Sequence, residues 1–155
     1  MTENSEQDLA VSDKSRTIKE SASVVNEVIE RFKTAKGWDN RHREIMLLGK
    51  RLHRLDKKYR LQENVITGCE SLAWLTTARN EQGKFIFSAD SDAKVIRGLL
   101  YIVLAVFNNK TASQIQAFDI EKYFTQLGLI QHLSPSRGNG LLAIVKKIRK
   151  LALVN

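Results

Sequence analysis

Cysteine and long apolar runs are scarce in this chain, and each scarcity closes off a class of protein. Cys69 is the only cysteine among 155 residues. A disulfide framework, a Cys-x-x-Cys redox pair and a four-ligand zinc or iron–sulfur site all need more sulfur than this. His42, His53 and His132 stand too far apart in sequence to suggest replacement ligands, so no metal site is expected. The most apolar stretch, Val95–Phe107, falls well short of the ~20 residues that cross a bilayer, and it reads as a buried central helix. Met1–Lys19 is polar and of mixed charge, with no apolar run of signal-peptide length. Together with the sparing use of cysteine this points to a cytoplasmic protein without membrane attachment.

What the chain does contain suits one compact domain. At 17.6 kDa with 43% hydrophobic residues it can bury a sizeable core without staples. Its net charge is +8, and the excess is local: residues 31–60 hold eleven Lys and Arg against three Asp and Glu, while the remainder balances at fourteen against fourteen. Localised positive charge is one mark of a nucleic-acid binder. No such motif accompanies it, and Phe32, Trp38 and Tyr59 are too widely spaced for a stacking platform. A docking face for an acidic partner, or a solvated helix, accounts for the charge better.

Along the chain, residues 1–16 lack periodic hydrophobicity and read as a disordered tail ahead of a single domain over 17–155, with a possible capping box at Thr17-Ile18-Lys19-Glu20. Val24, Val25, Val28, Ile29 and Phe32 mark a helical face closed by Gly37. A second helix from about Asp39 carries the stripe Ile45, Leu48, Leu52 and Leu55, leaving Arg41, Arg43, Lys50, Arg51 and Arg54 mostly to solvent. The period then shortens. Val65–Thr67, Leu72–Arg79 and Lys84–Ala89 read as three short strands, the last two joined by a turn at Asn80-Glu81-Gln82-Gly83. Asp90, Ser91 or Asp92 would cap the central helix, Thr111 and Asp119 two shorter ones, the second ending near Gly128, and Ser134-Pro135 a last helix running to about Leu153. The expected fold is therefore α+β: a small antiparallel three-stranded sheet covered by helices.

Cys69 sits in the break between the first two of those strands. An unpaired cysteine is ordinarily a small buried hydrophobe. Here Gly68 permits backbone angles that other residues avoid, and Glu70 and Ser71 make poor core neighbours, so the thiol falls on a bend where function is more common. No Lys, Arg or His lies within five residues of it, and Glu70 disfavours the thiolate. Activation would have to come from a residue distant in sequence, such as Arg137, or from a partner. Trp74 alternates with apolar neighbours and reads as core.

The stretch Val65-Ile66-Thr67-Gly68-Cys69-Glu70-Ser71-Leu72-Ala73-Trp74-Leu75 resembles the active loop of the SufE family of sulfur acceptors, which includes the CsdE branch. Ser88–Leu100 is similar to the family's acidic turn and the start of its central helix, and Leu133–Leu141 to the start of its last helix. With Trp38 and Leu48-Gly49-Lys50, the likeness runs from about Ser23 to the C-terminus. His53, where the family usually has proline, and Asn40-Arg41-His42, in place of a more acidic and aromatic stretch, depart from it.

The resemblance implies a SufE/IscU-like architecture and a role as sulfur acceptor and activator of a pyridoxal-phosphate-dependent cysteine desulfurase of the SufS or CsdA kind. Cys69 would take persulfide sulfur in the loop formed with Gly68, Glu70 and Ser71. The sulfur would pass to an iron–sulfur scaffold or another downstream acceptor. Asp92 and Arg137 would be candidate partner contacts, against plain readings as helix cap and surface cation. The protein would be a carrier and not an enzyme, and would need no cofactor of its own. An autonomous thiol enzyme is the rival reading, but a phosphatase-like Cys-x5-Arg loop would need arginine where Leu75 stands. No base or oxyanion signature flanks Cys69.

Overall fold

The computed structural model of the chain describes residues 23–153. The tail expected over 1–16 and the capping box at Thr17 lie outside these residues. Helix α1 (residues 23–34) and helix α2 (Trp38–Gly49) come first. Val28 and Phe32 of α1 are buried, as the helical face required. Gly37 does not close α1; with φ at 81° it forms the left-handed step into α2. Helix α2 ends at Gly49, so Leu52 and Leu55, expected on its stripe, follow in irregular chain ahead of single 3-10 turns at Lys57–Tyr59 and Gln62–Asn64.

Strands β1 (Ala73–Arg79) and β2 (Phe85–Ser91) form an antiparallel hairpin in register from Ala73 opposite Ser91 to Arg79 opposite Phe85. Its turn lies where Asn80 and Gly83 predicted it: Asn80 Oδ1 accepts from the Gln82 and Lys84 amides, and Gly83 takes a φ of 75°. The third strand is absent. Val65–Thr67 makes one bridge, Val65 with Trp74, through the Ile66 amide donating to the Ala73 carbonyl. A 3-10 turn immediately before and the left-handed Gly68 after leave only Ile66 in position to pair, and a β-branched run so short cannot extend the ladder.

Helix α3 (Lys94–Phe107) is apolar nearly all round and runs through the middle of the core. Helix α2 approaches it so closely that a Cβ at Gly49 would lie 2.8 Å from the Gly98 amide nitrogen, and one at Gly98 would run into the Ile45 carbonyl. Helices α4 (Ala112–Ala117), α5 (Ile120–Leu127) and α6 (Pro135–Leu151) follow. Thr111 and Gln114 form a reciprocal capping box, Asp119 caps α5, left-handed Gly128 ends it, and Ser134 with Pro135 starts α6, all as the side chains indicated.

The expected acidic cap on α3 is a correction. Its N-cap is Ala93, with no side-chain cap. Asp90 is wholly buried and turned the other way, 2.8 Å from Arg60 Nη2, 3.2 Å from Arg54 Nε and 3.5 Å from Arg97 Nε, while accepting from the Leu55 and Ser91 amides. Ser91 Oγ donates to the Leu72 carbonyl and accepts from the Ala93 amide, and Asp92 is exposed. Three guanidiniums compete for Asp90 where the helix offers only orphan amides, and their full positive charges outweigh the partial charge of a helix terminus.

Breaking such a buried node by removing one charge typically costs ~3–5 kcal/mol. Asp90→Asn should therefore lower the urea midpoint by that equivalent with an unchanged m-value. A loss below about 1 kcal/mol would show that the arginines re-solvate freely.

Candidate functional site

The bend that carries Cys69 is clamped at both ends. Ile66 is buried and hydrogen-bonded to Ala73, and Leu72 is held by Ser91. Between them Gly68 has a φ of 93°, and a Cβ there would lie 3.3 Å from the Ala143 Cβ on α6, so both its angle and its packing favour glycine. Cys69 is half-buried against α6 and α3. A Cβ at Gly140 would stand 3.3 Å from the Cys69 Sγ and 3.6 Å from Ile96 Cδ1, so the absence of a side chain at Gly140 makes the thiol's seat.

In front of the thiol is an open cavity of about 560 Å³, lined by the bend (Cys69, Glu70, Ser71), by the first turn of α3 with Lys94, and by the first turn of α6 with Ser136 and Arg137. Both helices point their positive ends at it, yet each adds a cation there, against the macrodipole. That local conflict marks the cavity as a place for negative charge.

Burial nonetheless pushes the Cys69 thiol up from its ordinary pKa. The Ser71 amide pulls the other way by hydrogen-bonding to the sulfur, and the Glu70 charge adds to the rise. An unperturbed cysteine is only a few per cent thiolate at neutral pH, so burial leaves Cys69 with a smaller thiolate fraction still. Lys94 and Arg137 line the cavity without offsetting the burial.

The sequence profile described as "SufE: Fe-S metabolism associated domain" matches residues 26–152. The chain belongs to the SufE family. It is 40% identical over 133 residues to an uncharacterized SufE-like protein of Rhizobium etli, an alignment covering 84% of this chain and 90% of the relative. Its fold is similar to that of a hypothetical protein of Thermus thermophilus solved in solution, with a TM-score of 0.64 at 14% identity over 85% of this chain and 97% of the other. Membership of the SufE family points to sulfur transfer with a cysteine desulfurase. Among the described residues no helix is long and apolar enough to cross a membrane, and no three or more His, Cys, Asp or Glu cluster as metal ligands would.

Of the residues singled out in the sequence, Cys69, Glu70, Ser71 and Arg137 meet at this cavity, and Gly68 forms its bend. Asp92 is exposed, one residue before the lining residue Ala93 and not itself in the lining. Lys94 and Gly140 were missed as individuals, although both fall in the stretches that carry the family likeness. A lysine in a first helical turn was the available signal, because the dipole disfavours it.

Glu70 raises the thiol pKa through space while remaining solvent-exposed, so Glu70→Gln should speed alkylation of Cys69 by iodoacetamide at neutral pH by about twofold, and less at high salt. An unchanged rate would remove Glu70 from the thiol's electrostatics.

Proposed function

We propose that this chain is a sulfur acceptor and activator of a pyridoxal-phosphate-dependent cysteine desulfurase in the cytoplasm, carrying sulfur as a persulfide on Cys69. The observation that carries the reading is a sole thiol seated in a cavity rimmed by Lys94, Arg137 and two helix starts. In the transfer, the Cys69 thiolate attacks the outer sulfur of the desulfurase persulfide. The donor's S–S bond breaks, its inner sulfur leaves as thiolate, and Cys69 is left as Cys–S–SH. One S–S bond replaces another, so no outside oxidant or reductant is needed. Removing the donor's persulfide frees it for another turnover, which makes the acceptor an activator without an active site of its own.

The raised thiol pKa fits a carrier whose sulfur stays protonated and quiet until docking. Activation then falls to the partner, whose arrival would displace water and bring the thiol into a new field. Arg137, exposed at the cavity mouth, is a candidate for meeting an acidic group of the desulfurase, and the exposed Asp92, one residue before the lining residue Ala93, for a basic one. From Cys69 the sulfur would pass to iron–sulfur assembly or to another sulfur-using pathway.

Cys69→Ser preserves the side chain's shape and removes its nucleophilicity. The variant should bind the desulfurase as tightly as the wild type and fail to stimulate cysteine turnover. Full stimulation by Cys69→Ser would make the thiol incidental and the activation allosteric. Arg137→Ala should raise the dissociation constant for the desulfurase by about fivefold at low ionic strength and by less at physiological salt, as measured by calorimetry. An affinity indifferent to the substitution would take Arg137 out of the interface.

A further inference from the structure

A second cavity, of about 580 Å³, opens between β2, the end of α3 and the chain from Arg51 to Tyr59, and shares no lining residue with the Cys69 cavity. Its walls are largely apolar, with Phe87 and Ala89 on the β2 side and Leu104 and Ala105 on the α3 side.

The hydrogen-bond parity of β2 gives this groove a chemistry. The Phe85 amide donates to the Lys110 carbonyl, the Phe85 carbonyl accepts from the Asn109 amide, and the Phe87 amide donates to Asn108 Oδ1. Odd-numbered residues of β2 therefore turn their backbone groups away from β1. By the same parity the Phe87 carbonyl and the Ala89 amide and carbonyl face outward, where the groove lies, and they have no hydrogen bond to another described residue. Buried backbone groups of this kind are nearly always paired. A free strand edge at the foot of an apolar groove is the arrangement that extended peptides fill by adding a strand.

The rim selects the sign of the occupant. Arg51, His53 and Arg54 line it, with Asp56 the one carboxylate beside them, engaged by the Lys58 amide. The ion pairs of the rim and behind it form two clusters: Arg31 and Arg51 balance Glu27 and Glu44, whereas Arg54, Arg60 and Arg97 share Asp90 alone, which leaves two positive charges uncompensated in that cluster. Lys57 and Lys58 add more close by, both exposed.

We propose that the outer edge of β2 and the groove beside it form a docking site for an extended acidic segment of a partner protein, bound by strand addition at Phe87 and Ala89 and steered by the Arg51–Arg54 rim. The site is separate from the Cys69 cavity and does not depend on the sulfur-transfer reading.

The test uses the full chain and a fluorescein-labelled synthetic peptide of alternating aspartate or glutamate and valine. Two counterparts accompany it, one with lysine for every acid and one N-methylated at alternate backbone nitrogens. Anisotropy should show the acidic peptide binding about tenfold tighter than either counterpart, because one lacks the charge and the other cannot pair along a strand. Bound peptide should slow amide exchange at Ala89 by about tenfold while leaving Thr77, on the outer edge of β1, unchanged. His53→Glu, an exposed rim position, should weaken binding about threefold. Several outcomes overturn the proposal: equal affinity for the N-methylated peptide, protection at Thr77 in place of Ala89, or no protection at all, which leaves the edge to water. Binding that appears only after residues 1–16 are removed also overturns it, by assigning the groove to the chain's own N-terminal segment.

Discussion

Asp90 is the point on which the geometry of the site hangs. Its carboxylate, fully enclosed, is held by Arg54, Arg60 and Arg97 and in turn fixes the Leu55 and Ser91 amides. Arg60 lies 5.1 Å over the Trp74 ring and donates to the Leu55 carbonyl, which sets the chain that leads into the Cys69 bend. Ser91 holds Leu72, which sets the chain that leaves it. Arg97 ties the same node to α3 and to the Leu52 carbonyl. One buried charge thus joins β2, the central helix and both flanks of the bend. A buried ion cluster gives little net stability against an apolar alternative, but it permits few arrangements, and the bend needs one.

Around that node the thiol is placed by what is missing. Gly140 leaves the space that Cys69 fills, Gly68 lets the bend lie against Ala143 of α6, and Gly49 and Gly98 let α2 reach α3. The cost is a sulfur pushed toward its protonated form by burial. A carrier can tolerate this where an enzyme acting alone could not, because its chemistry begins only when the donor arrives. Lys94 and Arg137 keep the cavity receptive to negative charge meanwhile.

Most cap and turn signals were read correctly from the sequence, although the second helix stops short of Leu52 and Leu55, and contacts between distant residues were not read. Thr111, Asp119, Gly128 and Ser134-Pro135 act within a few residues of themselves, and each does what its type and position predicted. Trp74, read as core from its alternation, is buried. Asp90 was misread as a helix cap because Arg54, Arg60 and Arg97 come to it from elsewhere in the fold. The run Val65-Ile66-Thr67 has strand composition, yet the adjacent 3-10 turn and Gly68 restrict it to one bridge. The local excess of charge over 31–60 was legible, but not that Arg31, Arg51, Arg54 and Arg60 are already engaged by carboxylates. At the site, the bend and Arg137 could be named in advance. Gly140 could not, since its role is an absence that only packing reveals.

The central claim is that Cys69 itself carries sulfur. Intact mass spectrometry of the protein after incubation with a cysteine desulfurase and free cysteine tests it most directly. The account predicts a gain of one sulfur atom, reversed by a reductant and mapped to Cys69 by peptide analysis. An unchanged mass under conditions in which the desulfurase turns over faster would contradict it, for the protein would then stimulate its partner without accepting the sulfur.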